Sequence, residues 1–328
     1  MRNKLLSQLF FFCLLLLTWW NINDLRATLP TGAKIGAPLP VFPGIQIDFL
    51  RSQDPVIVED ALNQTARVLA RYISPALTNE AWQPSFVFLD LFGDEKEELA
   101  ISLALPPDRG YLAIIARQNG QYTLYYYLDN LLPLGNISKL DLPGHKNLLV
   151  TREEHDEQMG IYSETKTLKL WKWRENALQA VWSEHSYWEM SWLNTWQDSQ
   201  ADSQLWSKLV QDLSVTYEAA PDPMIKIEGE QYLHQAPFKE FEILPPPYEF
   251  ELQIQRKVEA VYIWNEEWQC FVLESKTLQL PGQEAQKVAL IKDLGFQLES
   301  LVKQELKSLY QVINKKGEIF EVEKQYLR

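Results

Sequence analysis

The sequence predicts a mainly β fold, a partial or degenerate β-propeller-like repeat of about three units with flanking N- and C-terminal helices. Three observations predict it. Short runs rich in Val, Ile, Tyr and Trp alternate with polar turns from residue 85 to about residue 274, the pattern of half-buried strands. Asn119-Gly120 and Glu175-Asn176 separate such runs and suit hairpin turns, whose central residues take positive φ. Two similar turns, around Leu89-Asp90-Leu91 and Leu140-Asp141-Leu142, recur 51 residues apart, close to the roughly 40 to 50 residues of a repeated β unit.

Taken in chain order, residues 1–27 come first. Met1-Arg2-Asn3-Lys4 is a cationic start and residues 5–20 are almost entirely apolar. That is the layout of a signal peptide, or of an N-terminal membrane anchor if cleavage near Ala27 does not occur. The rest is then extracytoplasmic, either secreted or tethered to the membrane. Cys13 follows Phe10-Phe11-Phe12, where a lipidation signal needs small residues. Without the leader, Cys270 is the single remaining thiol, which excludes an intramolecular disulfide.

Residues 28–53 carry Pro30, Pro38, Pro40 and Pro43 with Gly32, Gly36 and Gly44, which predicts a Pro/Gly-rich tether without helix. The β-repeat domain, 54–280, opens with a helix from Asp54-Pro55 to about Ile73. Val58, Leu62, Thr65, Leu69 and Tyr72 share one face of it, and Ser74-Pro75 stops it. The first unit has strands at 86–89, 99–103, 111–115 and 122–127, and the second at 148–150, 167–173 and 178–182. Asp202 is expected to cap a short helix carrying Leu205, Trp206, Leu209 and Leu213. A third unit follows at 224–227, 249–254, 260–264 and 268–273. Residues 281–328 are expected to form a C-terminal helix over 285–306, with Ile291, Leu294, Leu298, Leu301 and Val302 on one face, plus a hairpin around Lys316-Gly317.

The formal net charge of the 328-residue chain is −13. A surface of that sign repels phosphate backbones and anionic lipids. Nucleic acid is therefore excluded as a partner, and membrane contact is expected only through residues 5–20 if they are retained.

Asp90-Leu91-Phe92-Gly93-Asp94-Glu95-Lys96-Glu97-Glu98-Leu99 resembles the turn of FG-GAP or VCBS repeats in integrin-type β-propellers, as a degenerate member of the exported bacterial type. The resemblance implies a blade start here and a weaker one at Asp141. It also implies calcium as the cofactor, with Asp90, Asp94 and Glu98 as ligands. Phe92 stands where that pattern places a second ligand, and Glu95 where it places a glycine.

Tyr187, Trp188, Trp192 and Trp196 lie beside Glu184, Glu189 and Asn194. In a strand, Trp188, Met190 and Trp192 share one face and Tyr187, Glu189 and Ser191 the other. Aromatic rings near carboxylates suit a sugar ring or a partner peptide, and equally a packed core. Glu153-Glu154-His155-Asp156-Glu157 reads as a solvated hairpin tip. His145, His185 and His234 have no partner at zinc-ligand spacing. The chain has no Gly-x-Ser-x-Gly, P-loop or Gly-x-Gly-x-x-Gly. The sequence thus leans against an enzyme without deciding the point. It favours a non-catalytic exported binding or interaction module of the cell envelope, with a protein or glycan partner. The alternatives are an enzyme acting on envelope glycans or peptides, and a structural accessory subunit.

Overall fold

Helix-forming and strand-forming segments separate sharply along the chain. The computed structural model describes residues 39–73, 83–105, 109–142, 147–157, 162–197, 205–219, 222–237, 244–303 and 308–328. The expected leader, most of the tether and Asp202 lie outside the described residues. The described chain is mainly β and falls into two compact units. One holds Ala27–His155 and Lys166–Glu184, the other Asp156–Thr165 and His185–Arg328.

The first unit begins with β1 (Val41–Phe42) and α1 (Gly44–Phe49). The expected helix-free tether is corrected here. Pro43 precedes the first turn, where the missing N–H costs nothing, and buried Ile47 and Leu50 hold the turn in place. Helix α2 (Pro55–Ile73) follows. The Asp54 carboxylate accepts the Val56 N–H at 2.9 Å as its cap. Ala61, Thr65, Ala66, Leu69 and Ala70 turn inward. The Thr65 hydroxyl donates to the Ala61 carbonyl and accepts from the Gln46 amide, so its buried oxygen is satisfied.

Strands β2 (Gln83–Leu89), β3 (Glu98–Leu105), β4 (Arg109–Gln118) and β5 (Gln121–Leu131) join β1 in one antiparallel sheet, in the order β1-β5-β4-β3-β2. Alternation splits its side chains. Leu99, Ile101, Leu103, Ala113 and Ile115 pack under α2. Ala100, Leu112 and Ile114 pack the other way, with Leu149, Trp171, Trp173 and Leu178. These last come from β7 (Leu148–Glu157), β8 (Tyr162–Arg174) and β9 (Ala177–Leu193), which follow β6 (Ser138–Leu140). Each fully buried aliphatic or aromatic side chain contributes roughly 1.5–3 kcal/mol, so two separate apolar layers fix this unit. The expected hairpin turns form. Asn119 and Gly120 have φ of 50° and 84°, and Glu175 and Asn176 of 50° and 65°. At Gly110 a β-carbon would lie 1.9 Å from the Leu132 carbonyl oxygen, so only glycine allows the chain to pass there.

Burial corrects the reading of both acidic runs. Glu153 is not at a solvated tip but within β7, 2 % exposed, and its carboxylate lies 3.0 Å from the Lys169 ammonium. Glu98, at the start of β3, is 4 % exposed. Asp90 lies between β2 and β3 in one sheet, and Asp141 follows β6 in another.

The second unit takes the far ends of the β7–β9 segment and adds β10 (Leu205–Glu218), β11 (Met224–Pro237), β12 (Glu251–Asn265) and β13 (Cys270–Val272), in the order β13-β12-β11-β10-β9. The helix expected over Leu205 to Leu213 is therefore strand β10. Apolar residues at 205, 206, 209 and 213 fit either period, and pairing with β9 and β11 on both sides decides for the strand. Segments 249–254 and 260–264, expected as two strands, belong largely to the single strand β12. Strands β14 (Glu274–Leu278), β15 (Gln286–Asp293), β16 (Leu309–Asn314) and β17 (Ile319–Glu323) form a further sheet. The C-terminal helix expected over 285–306 is corrected to β15, a 3-10 turn at Leu294–Phe296, and the single-turn helix Glu299–Lys303. Consecutive burial of Val288, Ala289 and Leu290 suits a strand covered on both faces. The Asp293 carboxylate then caps the turn through the Gly295 N–H at 2.8 Å.

Candidate functional site

Strands β9, β10 and β11 set side chains in rows across one sheet face. Glu189, Val210 and Tyr232 form one row and Ser191, Lys208 and His234 the next. Leu193, Trp206 and Ala236 form a third. Glu189, Lys208, Tyr232 and His234 line a cavity of about 320 Å³, with Pro247 and Phe250 on its rim. The stiff Pro245-Pro246-Pro247 segment brings that rim over the sheet, through the 3-10 turn Pro247–Glu249.

The polar groups are mutually arranged. The Lys208 ammonium lies 2.6 Å from one Glu189 oxygen and 5.9 Å from the centre of the Phe250 ring. The Tyr187 hydroxyl donates to the other Glu189 oxygen at 2.8 Å. Burial, then the Glu189 acceptor, push the Tyr187 phenol above its ordinary pKa. The Tyr232 hydroxyl donates to Glu230, and the Tyr232 and His234 rings lie 5.8 Å apart. Burial, then the Lys208 charge, hold the His234 imidazole below the usual histidine range, against an opposing pull from Glu189. At neutral pH the site therefore presents one carboxylate, one ammonium and an uncharged imidazole. The His234 Nδ1, Ser191 Oγ and Trp206 Nε1 atoms are buried without a hydrogen-bond partner within the protein. They belong to adjacent rows of one face.

The expected aromatic surface divides between the two faces of β9. Tyr187 lies on the cavity face. Trp188, Met190 and Trp192 point the other way and pack with Leu209, Leu233, Leu298 and Leu301. Trp192 is only 1 % exposed. Trp196 meets Trp206 edge-on at 5.3 Å and is half-buried in a cluster with Leu193, Ala236 and Phe250. The alternation was legible, but it placed the tryptophans in the core and the polar partners in the cavity. His234, Lys208 and Phe250 were not singled out, because the register that assembles them is not visible in local sequence. The proline run and the polar residues of the Glu189 face were the available signals.

The expected calcium ligands lie in the turn between β2 and β3. One Asp90 oxygen accepts the N–H groups of Gly93 at 2.6 Å and Asp94 at 3.1 Å, and the other accepts that of Glu95 at 3.1 Å. One Glu98 oxygen accepts the Leu91 and Phe92 N–H groups at 2.9 and 3.1 Å. The Asp94 carboxylate pairs with the Lys96 ammonium at 3.0 Å, which holds its pKa below the ordinary value. Burial raises that of Glu98. The turn is thus cross-linked by its own carboxylates, and their oxygens face N–H groups rather than a common centre. These residues do not fit the 6 to 8 oxygen ligands calcium needs. Among the described residues no group of three His, Cys, Asp or Glu side chains is placed to hold a metal ion.

No protein-family model matches the chain, and no curated protein matches it in sequence.

Proposed function

We propose that this chain is a non-catalytic, exported binding module of the cell envelope that takes a neutral polar ligand, a glycan unit, in the cavity on β9–β11. One observation carries the reading: a charge-balanced Glu189–Lys208 pair between the Tyr232 and Phe250 rings. A balanced pair supplies acceptors and donors to hydroxyl groups without favouring either ionic sign. Ring faces supply the apolar contact that sugar rings seek. The cationic start and apolar run of residues 1–20 support export. The Asp90–Glu98 turn and the two hairpins support a framework diverged from FG-GAP or VCBS repeats of about three units.

The experiment is calorimetric titration with soluble glycan and peptide fragments of cell envelopes, with product analysis in parallel. Saturable binding of a neutral glycan, weakened at least about tenfold by Tyr232→Ala or Lys208→Ala, is expected. Binding of peptides alone would move the ligand class to protein. Turnover of the fragment would replace the binding reading by the enzyme one.

A further inference from the structure

Strand β12 has a neighbour on one side along most of its length. It pairs with β11 from Glu251 to Ile263, whereas β13 reaches only Ile263, Trp264 and Asn265. Among the described residues, 251–262 make no further strand pairing. A free edge of that length is a template for another strand unless its side chains prevent it. Alternation puts Gln255, Lys257, Glu259, Val261 and Ile263 on one exposed face. Lys257 and Glu259 form an ion pair there, with side chains 70 % and 58 % exposed. Val261 and Ile263 are 45 % and 44 % exposed beside them.

We propose that β12 pairs antiparallel with β12 of a second copy of this chain, about a two-fold axis at Val258. In that register Lys257 stands opposite the partner's Glu259, and Glu259 opposite the partner's Lys257. Gln255 meets the partner's Val261. On the inward face Val258 meets the partner's Val258. The charges select this register over its neighbours. Moving the axis by one residue toward the C-terminus sets Glu259 against the partner's Glu259. Moving it the other way sets Lys257 against the partner's Lys257. Like charges directly opposite are unfavourable and opposite ones favourable, so the groups that shield the edge from general aggregation admit its own copy. A symmetric, self-complementary patch of this kind closes as a dimer and does not propagate.

Sedimentation velocity of the full chain at low salt tests this. A concentration-dependent dimer is expected. Lys257→Glu and Glu259→Lys each turn two attractive pairs repulsive and should weaken it about tenfold or more. The double variant Lys257→Glu/Glu259→Lys should recover affinity to within about threefold of the wild type. Mixing the two single variants again brings opposite charges face to face and should yield a heterodimer. All substituted positions are exposed, so circular dichroism spectra should coincide. A monomer at every concentration, or a dimer indifferent to both reversals, would overturn the proposal.

Discussion

Asn147 holds Asp90 across 57 residues of sequence, its side-chain oxygen accepting the Asp90 N–H at 2.8 Å. The Asn147 N–H in turn donates to the Asp90 carbonyl at 3.2 Å. Its side-chain amide donates to the Asp141 carboxylate at 2.6 Å. One asparagine thus joins the two turns whose likeness is visible in the sequence.

Replacing Asn147 should therefore matter more than replacing its exposed partner. Asn147→Ala leaves the Asp90 N–H without its acceptor, at a cost of about 1–3 kcal/mol. Asp141→Ala removes only an exposed contact and should change stability by less than about 0.5 kcal/mol. Thermal melts of the two variants distinguish these outcomes. Equal melting temperatures would remove Asn147 from any organising role.

Asp90 offers a second test, because its three N–H contacts serve the turn without a metal. Asp90→Ala should lower stability by about 1–3 kcal/mol, and by the same amount in chelator and in millimolar calcium. A bound ion at a hundred times its dissociation constant would instead add about 2.7 kcal/mol to the wild type. A calcium-dependent rise of that size, lost in Asp94→Ala, would restore the calcium reading.

The legible parts of the fold share a cause. Helix α2 announces itself through Asp54-Pro55 and a long apolar stripe, and the hairpins at Asn119 and Asn176 through residues that tolerate positive φ. These are local signals. Strand β10 and strand β15 were hidden because Leu205, Leu209 and Leu213, or Val288 and Leu290, owe their conformation to neighbours in the sheet. The site follows the same division. Face alternation in β9 was legible from Trp188, Glu189 and Met190. Bringing Lys208 and His234 to the Glu189 side depends on registers set across three strands. Buried Glu153 looked like a surface charge because its partner Lys169 lies in the next strand.

His234 gives the site a defined pH dependence. Its pKa in the folded chain is lowered from the ordinary 6.5, by burial first and then by Lys208. On acidification the unfolded chain takes up this proton before the folded one does. The His234 contribution is therefore flat above about pH 6.5, and stability is lost as the pH falls below that value toward the lowered pKa. Lys208, Glu189 and Tyr232 keep their charges through most of that interval. His234→Gln should remove this part of the slope, so its melting temperature gains on the wild type between pH 7 and pH 5. Parallel melting curves across that range would mean that His234 titrates normally.

Arg256 carries the last prediction, because its guanidinium ties β12 to the turn and short helix of residues 294–303. It donates to the Gln231 side-chain oxygen at 2.9 Å and to the carbonyls of Gly295 and Gln297 at 3.1 and 3.0 Å. A further bond reaches the Ser300 hydroxyl at 2.8 Å. Gln231 extends the chain of contacts to Gln211 at 2.6 Å and the Phe296 carbonyl at 2.8 Å. The Phe296 ring lies 5.5 Å from the guanidinium carbon. A lysine keeps the charge but offers its donors from one point, and cannot span acceptors spread over a planar fork. Arg256→Lys should therefore cost about 2–4 kcal/mol, through carbonyls left without donors. Gln231→Ala strikes the same network, so the double variant should lose less than the sum of the two single losses. Hydrogen exchange should quicken in residues 294–303 in both single variants and remain unchanged in α2. Additive losses, or exchange unchanged in that segment, would show that Arg256 does not hold it.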